Sequence, residues 1–230
     1  MKGELYTTPD GYKYIQRSDF VVKQLNPVPI KYDSNYIETY DTKEYKQNSL
    51  ILNNIRLATI IQAIGKKPSR LLDFGYGNGD FLKVASKHVN ECHGYDITFV
   101  PIPYATKVES PIDCAYDVVC FFDSLEHVND IDATITSLDT KYVIISLPCA
   151  HFGFTWGKWD FDNWKHRKPN EHLWHFTPQA LNCFMIHQGY IKVLQTSTED
   201  LVRLPERNEQ NILTGVYKKQ DKSNDLSGLL

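Results

Sequence analysis

Two continuous apolar runs constrain this chain more than any other feature. They are YDVVCFF, from Tyr116 to Phe122, and KYVIISL, from Lys141 to Leu147. A strand with one wet face alternates apolar and polar residues. These runs have no polar face, so each must be covered on both sides. Between them, Asp130 to Leu138 carries a helical pattern. Buried strand, helix and buried strand make the crossover unit of a parallel sheet, which winds right-handed onto one layer. The expected class is therefore α/β, a mostly parallel sheet with helices on both faces.

The rest of the chain fits that alternation. Arg70 to Phe74 reads as a strand, followed by a helix from Asp80 to His88 with Phe81, Leu82 and Ala85 facing inward. Glu91 to Asp96 and Ala105 to Glu109 read as short strands. Thr177-Pro178 opens a helix with a good cap and a proline in its first turn, and Gly189 closes it. Tyr190 to Thr196 and Ile212 to Lys218 read as two last strands. Upstream, Asp41 and Glu44 have capping-box spacing. Leu50, Ile51, Ile55, Ala58 and Ile61 recur on one side of the helix they open, which Gly65 and Pro68 end. We expect an irregular Tyr- and Pro-rich arm over residues 1–40 with a hairpin near Asp10-Gly11. A single domain is expected over 41–218, with an aromatic-rich lid insertion at 149–176 and a frayed tail at 219–230.

Composition narrows the partners. A net charge of -3 gives no general attraction to nucleic acid or anionic membranes. No apolar run approaches the roughly 20 residues that span a bilayer. The N-terminus lacks the apolar core of a secretory signal. The five cysteines are scattered, with no C-x-x-C pair, so reduced thiols in a cytoplasmic setting are expected. Nothing in the sequence assigns an oligomeric state.

The first strand runs into GYGNG, with Gly75, Gly77 and Gly79. Glycine permits positive φ and removes Cβ, so a ligand can approach the backbone there. The following helix N-terminus adds unpaired N–H donors. Asp73 ends the first strand and Asp96 the second, placed to accept bonds from ribose hydroxyls. A dinucleotide fingerprint is G-x-G-x-x-G; here the third glycine comes one residue early. Asp73 would repel a pyrophosphate and suits a ligand carrying an ammonium group.

LLDFGYGNGDFL resembles the first motif of the class I S-adenosylmethionine-dependent methyltransferases. HGYDI resembles their second motif, YDVVCFFDSLEHV their fourth-strand segment and KYVIISLP their fifth strand. EHLWHFTPQALNCFMIHQGYIKV resembles the following segment in the small-molecule and glycan branch related to ubiquinone-biosynthesis methyltransferases. The resemblance covers roughly residues 36 to 218, by motif order and spacing. It implies a Rossmann-like seven-stranded sheet with the last strand antiparallel, an arm over the active site, and S-adenosyl-L-methionine as cofactor. It further implies that Asp73, Gly75, Tyr76 and Gly77 hold the methionine end and Asp96 the ribose. Ile97 would flank the adenine, and Phe122 would sit beside the sulfonium. Tyr36 and Tyr40 are arm residues placed to close over the cofactor, Tyr40 being assigned to its site. FVPIPYA, after Asp96, is too short and proline-rich for the family's usual second helix.

Methyl transfer from a sulfonium needs alignment, exclusion of water and, for a hydroxyl acceptor, a base. His127, just past the fourth strand, is the first candidate, and His172 the second. Asp123, Glu126 and His127 have i, i+3, i+4 spacing. Some ubiquinone-type relatives pair a divalent metal with acids and a histidine at matching positions. Asp123 and Glu126 equally fit a capping box, so no metal is assigned. His175 is expected as satisfied polar packing. The excursion to Phe176 holds Trp156, Trp159, Trp164 and Trp174 and a basic knot from Lys165 to Lys168. Its aromatics serve either to stack on a sugar or base, or to pack a lid. The expected function is methyl transfer to a small-molecule or sugar-like acceptor, with neither membrane nor nucleic acid as partner. The alternatives are a silent cofactor-binding scaffold, an RNA-directed methyltransferase using the basic insertion, and a nucleotide-dependent oxidoreductase.

Overall fold

In the computed structural model, residues 3–30, 43–98, 100–151, 161–203 and 210–220 are described, with backbone alone for 43–46. Residues 4–25 are not the irregular arm expected above. They form an antiparallel meander of β1 (Glu4–Thr7), β2 (Lys13–Gln16) and β3 (Val22–Leu25). The expected hairpin is present, with Thr7 opposite Lys13 and Gly11 in the turn at φ 88°. Its pattern has period two but is short: Tyr14 is buried on β2, and Val22 and Gln24 on β3.

The helix α1 (Lys43–Ile64) precedes the main sheet. In chain order there follow β4 (Arg70–Phe74), α2 (Asp80–Ala85), β5 (Glu91–Tyr95), β6 (Thr106–Lys107) and β7 (Tyr116–Phe122). A 3-10 turn at Leu125–His127 leads to α3 (Ile131–Ser137), β8 (Thr140–Pro148) and β9 (Trp174–His175). The chain ends with α4 (Pro178–His187), β10 (Tyr190–Thr196), α5 (Asp200–Arg203) and β11 (Ile212–Lys219). The sheet order is β10-β11-β8-β7-β4-β5-β6. β11 runs antiparallel to both neighbours, and the other pairs are parallel. This is the expected Rossmann-like seven-stranded architecture.

The two apolar runs lie where their composition demands. On β7, Val118, Val119, Cys120 and Phe121 are fully buried; on β8, Val143, Ile144 and Ile145 are. Successive residues on each strand feed opposite cores, Val119 and Phe121 on one face and Val118 and Cys120 on the other. Asp130 caps α3 by accepting from Ala133 N–H, and Thr177 caps α4 by accepting from Ala180 N–H. α2 stops at Ala85, three residues short of the expected His88, and among the described residues no helix joins β5 to β6. No helix of the described residues is long and apolar enough to cross a membrane. All five cysteines are free thiols.

The expected inward face of α1 is mostly wrong: Ile61 packs against the core, but Leu50 and Ile51 are about half exposed, and Ala58 faces out. The buried residues are Leu57, Thr59 and Ile60 together with the stripe Ser49, Asn53 and Arg56, at helical spacing. That polar stripe is buried because it lines a cavity, so apolarity was the wrong guide.

Candidate active site

From β4 the chain steps to β5 and β6 on one side and to β7 and β8 on the other. The switch point therefore lies between the carboxyl ends of β4 and β7, where ligands of open α/β sheets bind. A cavity of about 1060 Å³ opens there. Single-ligand pockets span about 300–1,000 Å³, so this one stands at the top of that range. Its lining includes Asp73, Gly75, Tyr76, Gly77, Asp96, Ile97, Phe122, His127 and His172. Tyr36 and Tyr40 lie outside the described residues.

The turn after β4 is held by the sheet. Gly75 has φ 78°, and its N–H donates to Tyr95 O at 2.7 Å. A Cβ there would fall 2.6 Å from Ser124 Cβ, so only glycine fits. Gly77 differs. Its φ is 55°, and its N–H donates to Asp96 Oδ2 at 2.8 Å, but a Cβ would meet nothing within 4 Å. Gly77 thus borders open space inside the cavity. Asp96 Oδ1 accepts from Thr98 N–H at 2.7 Å, so this acid braces the turn. Tyr76 reaches the cavity wall, but its buried ring packs in the core and its hydroxyl donates to Val100 O. Ile97 is 69% exposed on the rim, and Phe122 is buried beneath it all.

Asp73 is fully enclosed and accepts no hydrogen bond among the described residues; its Oδ1 is buried without a partner. Burial lifts its carboxyl to about 7; nearby Arg56 opposes that rise and Asp96 adds to it. An orphaned acid at a strand end beside a bare glycine turn is a place for a cationic group.

Beyond β7 the arrangement differs from expectation. Asp123, at φ 54°, does not join Glu126 and His127 in one cluster. Its carboxylate accepts from Arg56 at 2.9 Å and from Arg203. Burial would raise it, but Arg203 and Arg56 outweigh that and hold it well below the usual range. Glu199 takes Arg56 at 3.1 Å on its other side and also pairs with Arg203. This four-charge knot ties α1, β7 and α5 together under the cavity. The Arg56 guanidinium also stacks 4.3 Å from the Phe122 ring centroid. Sequence reading missed it because its members are up to 147 positions apart; only the spacing Glu199, Arg203 hinted at an ion pair.

The capping box proposed for Asp123 and Glu126 does not form: the 3-10 turn has no side-chain cap. Glu126 is instead buried with neither carboxyl oxygen hydrogen-bonded and His127 Nε2 4.0 Å from its Oε1; burial first, then Asp123, pushes its carboxyl well up. His172 joins it across the chain. Leu173 N–H donates to Glu126 O at 2.8 Å, and Trp174 Nε1–H to Val128 O at 2.6 Å. Ligand atoms of Glu126, His127 and His172 then lie within 4.8 Å of one another. His172 Nδ1 donates to His166 O at 2.7 Å, which leaves Nε2 as the lone pair. Burial lowers both imidazoles, His172 to about 2, so they are neutral near pH 7. A carboxyl and two neutral imidazoles converge here, a set that suits a shared proton, a polar substrate or, once the carboxyl gives up its proton, a divalent cation.

The insertion is positioned by the meander. Tyr6 donates to both Asp162 oxygens, Arg167 forks onto Asp10, and Gln24 and Asn170 exchange two bonds. Its other side brings Lys165, His166, Lys168, Glu171 and His172 to the cavity. The basic knot is therefore not one surface: Arg167 is buried against Asp10, and Lys168 pairs with Glu171 at 2.9 Å. Trp174 is a packing residue, buried under Lys23 and Arg17. Trp156 and Trp159 lie outside the described residues. His175 is buried among the rings of Tyr14, Phe161 and Trp164. It packs as expected, but its Nε2 has no partner, so it is not satisfied.

A Rossmann-like sheet with a glycine turn, an acid before it and an acid at the next strand end is the arrangement in which open α/β sheets bind nucleoside-bearing ligands. The model of the family described as "Methyltransferase domain" matches residues 45–195, more than half of the chain. The chain belongs to that family, among the class I S-adenosylmethionine-dependent methyltransferases. No curated protein matches the sequence. Among solved structures, it is similar to the Burkholderia thailandensis 1,6-didemethyltoxoflavin-N1-methyltransferase with bound 1,6-didemethyltoxoflavin and S-adenosylhomocysteine. That match has 12% identity and a TM-score of 0.56, over 95% of this chain and 100% of that one. An S-adenosylmethionine-dependent methyltransferase from Clostridium acetobutylicum matches at 8% identity and TM-score 0.54, over 81% and 98%. The N-terminal domain of EvdMO1, in the presence of S-adenosylhomocysteine and D-fucose, matches at 10% and 0.51, over 78% and 84%. At such identities these likenesses speak for the fold alone.

Proposed function

We propose that this protein transfers the methyl group of S-adenosylmethionine to a small-molecule or sugar-like acceptor seated against Glu126, His127 and His172. The observation that carries the reading is Asp73, a buried acid with no partner beside the open backbone of Gly77. It is matched to the ammonium of the cofactor's methionine half, with Gly75 and Gly77 beneath. Asp96 takes the ribose, Ile97 the adenine and Phe122 the sulfonium side. When bound, the cofactor supplies an electrophilic methyl group. The chain's own residues align the acceptor, exclude water and take its proton. His127 is the base: it sits at the carboxyl end of β7, and burial keeps it neutral. His172, its Nδ1–H fixed by His166 O, orients the acceptor beside it.

The family membership weighs against the oxidoreductase alternative, and the dispersal of the basic knot weighs against RNA. A scaffold that binds cofactor without turnover is separated by assay. Calorimetric titration with S-adenosylhomocysteine should show one site, and silence at millimolar concentration would end the reading. Screened against small-molecule hydroxyl and amine acceptors, His127→Ala should slow transfer about a hundredfold or more, the usual range for losing a general base, while cofactor affinity stays the same. Undiminished turnover would remove His127 from the mechanism.

A second reading rests on the geometry of the same cluster. Glu126, His127 and His172 offer one carboxylate and two neutral imidazoles, a donor set suited to a divalent transition metal. They would hold it on the acceptor side, where it would act as a Lewis acid on the acceptor oxygen. Elemental analysis of the purified protein, with Glu126→Gln as the comparison, separates the two: metal lost in the variant supports this reading, and metal in neither protein refutes it.

A further inference from the structure

A third imidazole lines the acceptor side of the cavity and takes no part in the cluster around Glu126. His166 Nε2 lies 2.9 Å from Oδ1 of Asn211. An amide oxygen only accepts, so the hydrogen-bond network assigns the ring hydrogen to Nε2. The Asn211 main chain is itself fixed. Its N–H donates to Asp200 Oδ2 at 2.9 Å, and its carbonyl accepts from Cys149 N–H at 2.9 Å. The His166 ring meets Trp164 edge-on at 5.5 Å and lies parallel to His172 at 6.5 Å. It is therefore held on two sides and pinned at one nitrogen. Nδ1 keeps its lone pair and accepts no hydrogen bond among the described residues.

The Nε2 of His172, beside it on the same wall, likewise accepts no hydrogen bond among the described residues. A bare ring nitrogen facing a pocket is matched by a ligand that brings a donor to it. We propose that His166 is a specificity-determining residue that accepts, through Nδ1, a hydrogen bond from a hydroxyl of the methyl acceptor. The inference rests on the methyl-transfer reading and narrows its substrate to a hydroxyl compound, phenolic or sugar-like. His166 does not remove the transferred group's proton. It reads a second hydroxyl and so fixes which one faces His127.

The test uses full-length protein labelled with ¹⁵N at histidine and saturated with S-adenosylhomocysteine. Phenol and methyl β-D-glucopyranoside are the hydroxyl probes, and anisole is the control without a donor. Long-range proton–nitrogen spectra should show His166 protonated on Nε2. Its Nδ1 resonance should move with one hydroxyl probe or both, and stay with anisole; which probe moves it separates the phenolic from the sugar source. His166→Gln keeps a donor for Asn211 near the Nε2 position and loses the Nδ1 lone pair. It should weaken the responding probe about fivefold to tenfold, the worth of one neutral hydrogen bond, with S-adenosylhomocysteine affinity unchanged. Cofactor bound while Nδ1 ignores both probes, or an unaffected His166→Gln, overturns this inference alone. No S-adenosylhomocysteine binding overturns the methyl-transfer reading and this inference with it.

Discussion

Consider the replacement of Asp73 by asparagine, at the foot of the glycine turn. Burial raises the Asp73 carboxyl from its ordinary 3.8 to about 7, so the empty fold holds the proton more tightly than the unfolded chain does. For an acid raised in this way, stability is fully present below its unfolded value and falls as pH climbs to about 7. The gap is about 3 pH units at about 1.4 kcal/mol each, which puts the cost of the buried charge near 4 kcal/mol at pH 8. Asparagine carries no charge and removes that cost, but it buries an amide whose unmet hydrogen bonds cost about 1–3 kcal/mol. The net expectation is a gain of about 1–3 kcal/mol at pH 8 and a change near zero, from a loss of about 1 to a gain of about 0.7 kcal/mol, at pH 5, where the folded carboxyl is neutral and only ionisation of the unfolded chain, about 1.7 kcal/mol, weighs against the wild type. Urea denaturation at the two pH values reads this directly. Binding should move the other way. Below pH 7 a ligand ammonium must drive a proton off Asp73, so the Kd for S-adenosylhomocysteine should weaken about tenfold per pH unit from 7 down to 5. Asp73→Asn should bind weakly with that slope gone. A pH-independent wild-type Kd, or a variant less stable by the same amount at both pH values, would refute the assignment of Asp73 as the ammonium partner.

Three further perturbations test the surroundings. Gly77→Val should abolish cofactor binding while costing only about 1–2 kcal/mol of stability, the strain of a branched residue at positive φ; calorimetry showing a Kd within about tenfold of wild type would contradict a ligand over that backbone. Arg56→Met leaves Glu199 and Asp123 short of a guanidinium and should cost about 3–5 kcal/mol in urea denaturation; a loss under about 1 kcal/mol would mean the knot is screened by solvent. His175, buried and held near 3, stays neutral in the fold while the unfolded ring takes a proton below 6.5. Its contribution therefore falls as pH falls, by about 2 kcal/mol at pH 5. His175→Phe should gain that much on wild type between pH 7.5 and pH 5, and a constant difference across that range would count against it.

The legible parts of this molecule are those where one local rule decides. YDVVCFF and the Thr177-Pro178 cap had one reasonable outcome each, and β7 and α4 formed at those places. The turn at Gly75 and Gly77 was legible because a strand that runs straight into a helix there needs positive φ, which glycine adopts without strain. α1 was misread for another reason. A helix that lines a cavity buries polar residues, so Ser49, Asn53 and Arg56 form its inner face while Leu50 and Ile51 face water. The meander was missed because strands of four residues give little period to see.

The acceptor side was hidden for a deeper reason. It is assembled by contacts that no spacing encodes: Leu173 to Glu126, Trp174 to Val128, and Asn211 to His166. Asp123 shows the consequence. Beside Glu126 and His127 in sequence, it looks like a third member of one charged face. Two arginines from α1 and α5 claim it instead, and His172 takes the third place from 45 positions downstream. The exchange replaces an acid with an imidazole and halves the negative charge of the cluster. A neutral imidazole in a buried site accepts a proton from a hydroxyl without bringing a second carboxylate's desolvation penalty. Freeing Asp123, by removing both Arg56 and Arg203, should therefore set a carboxylate against Glu126 and raise that group further, not reinforce the base.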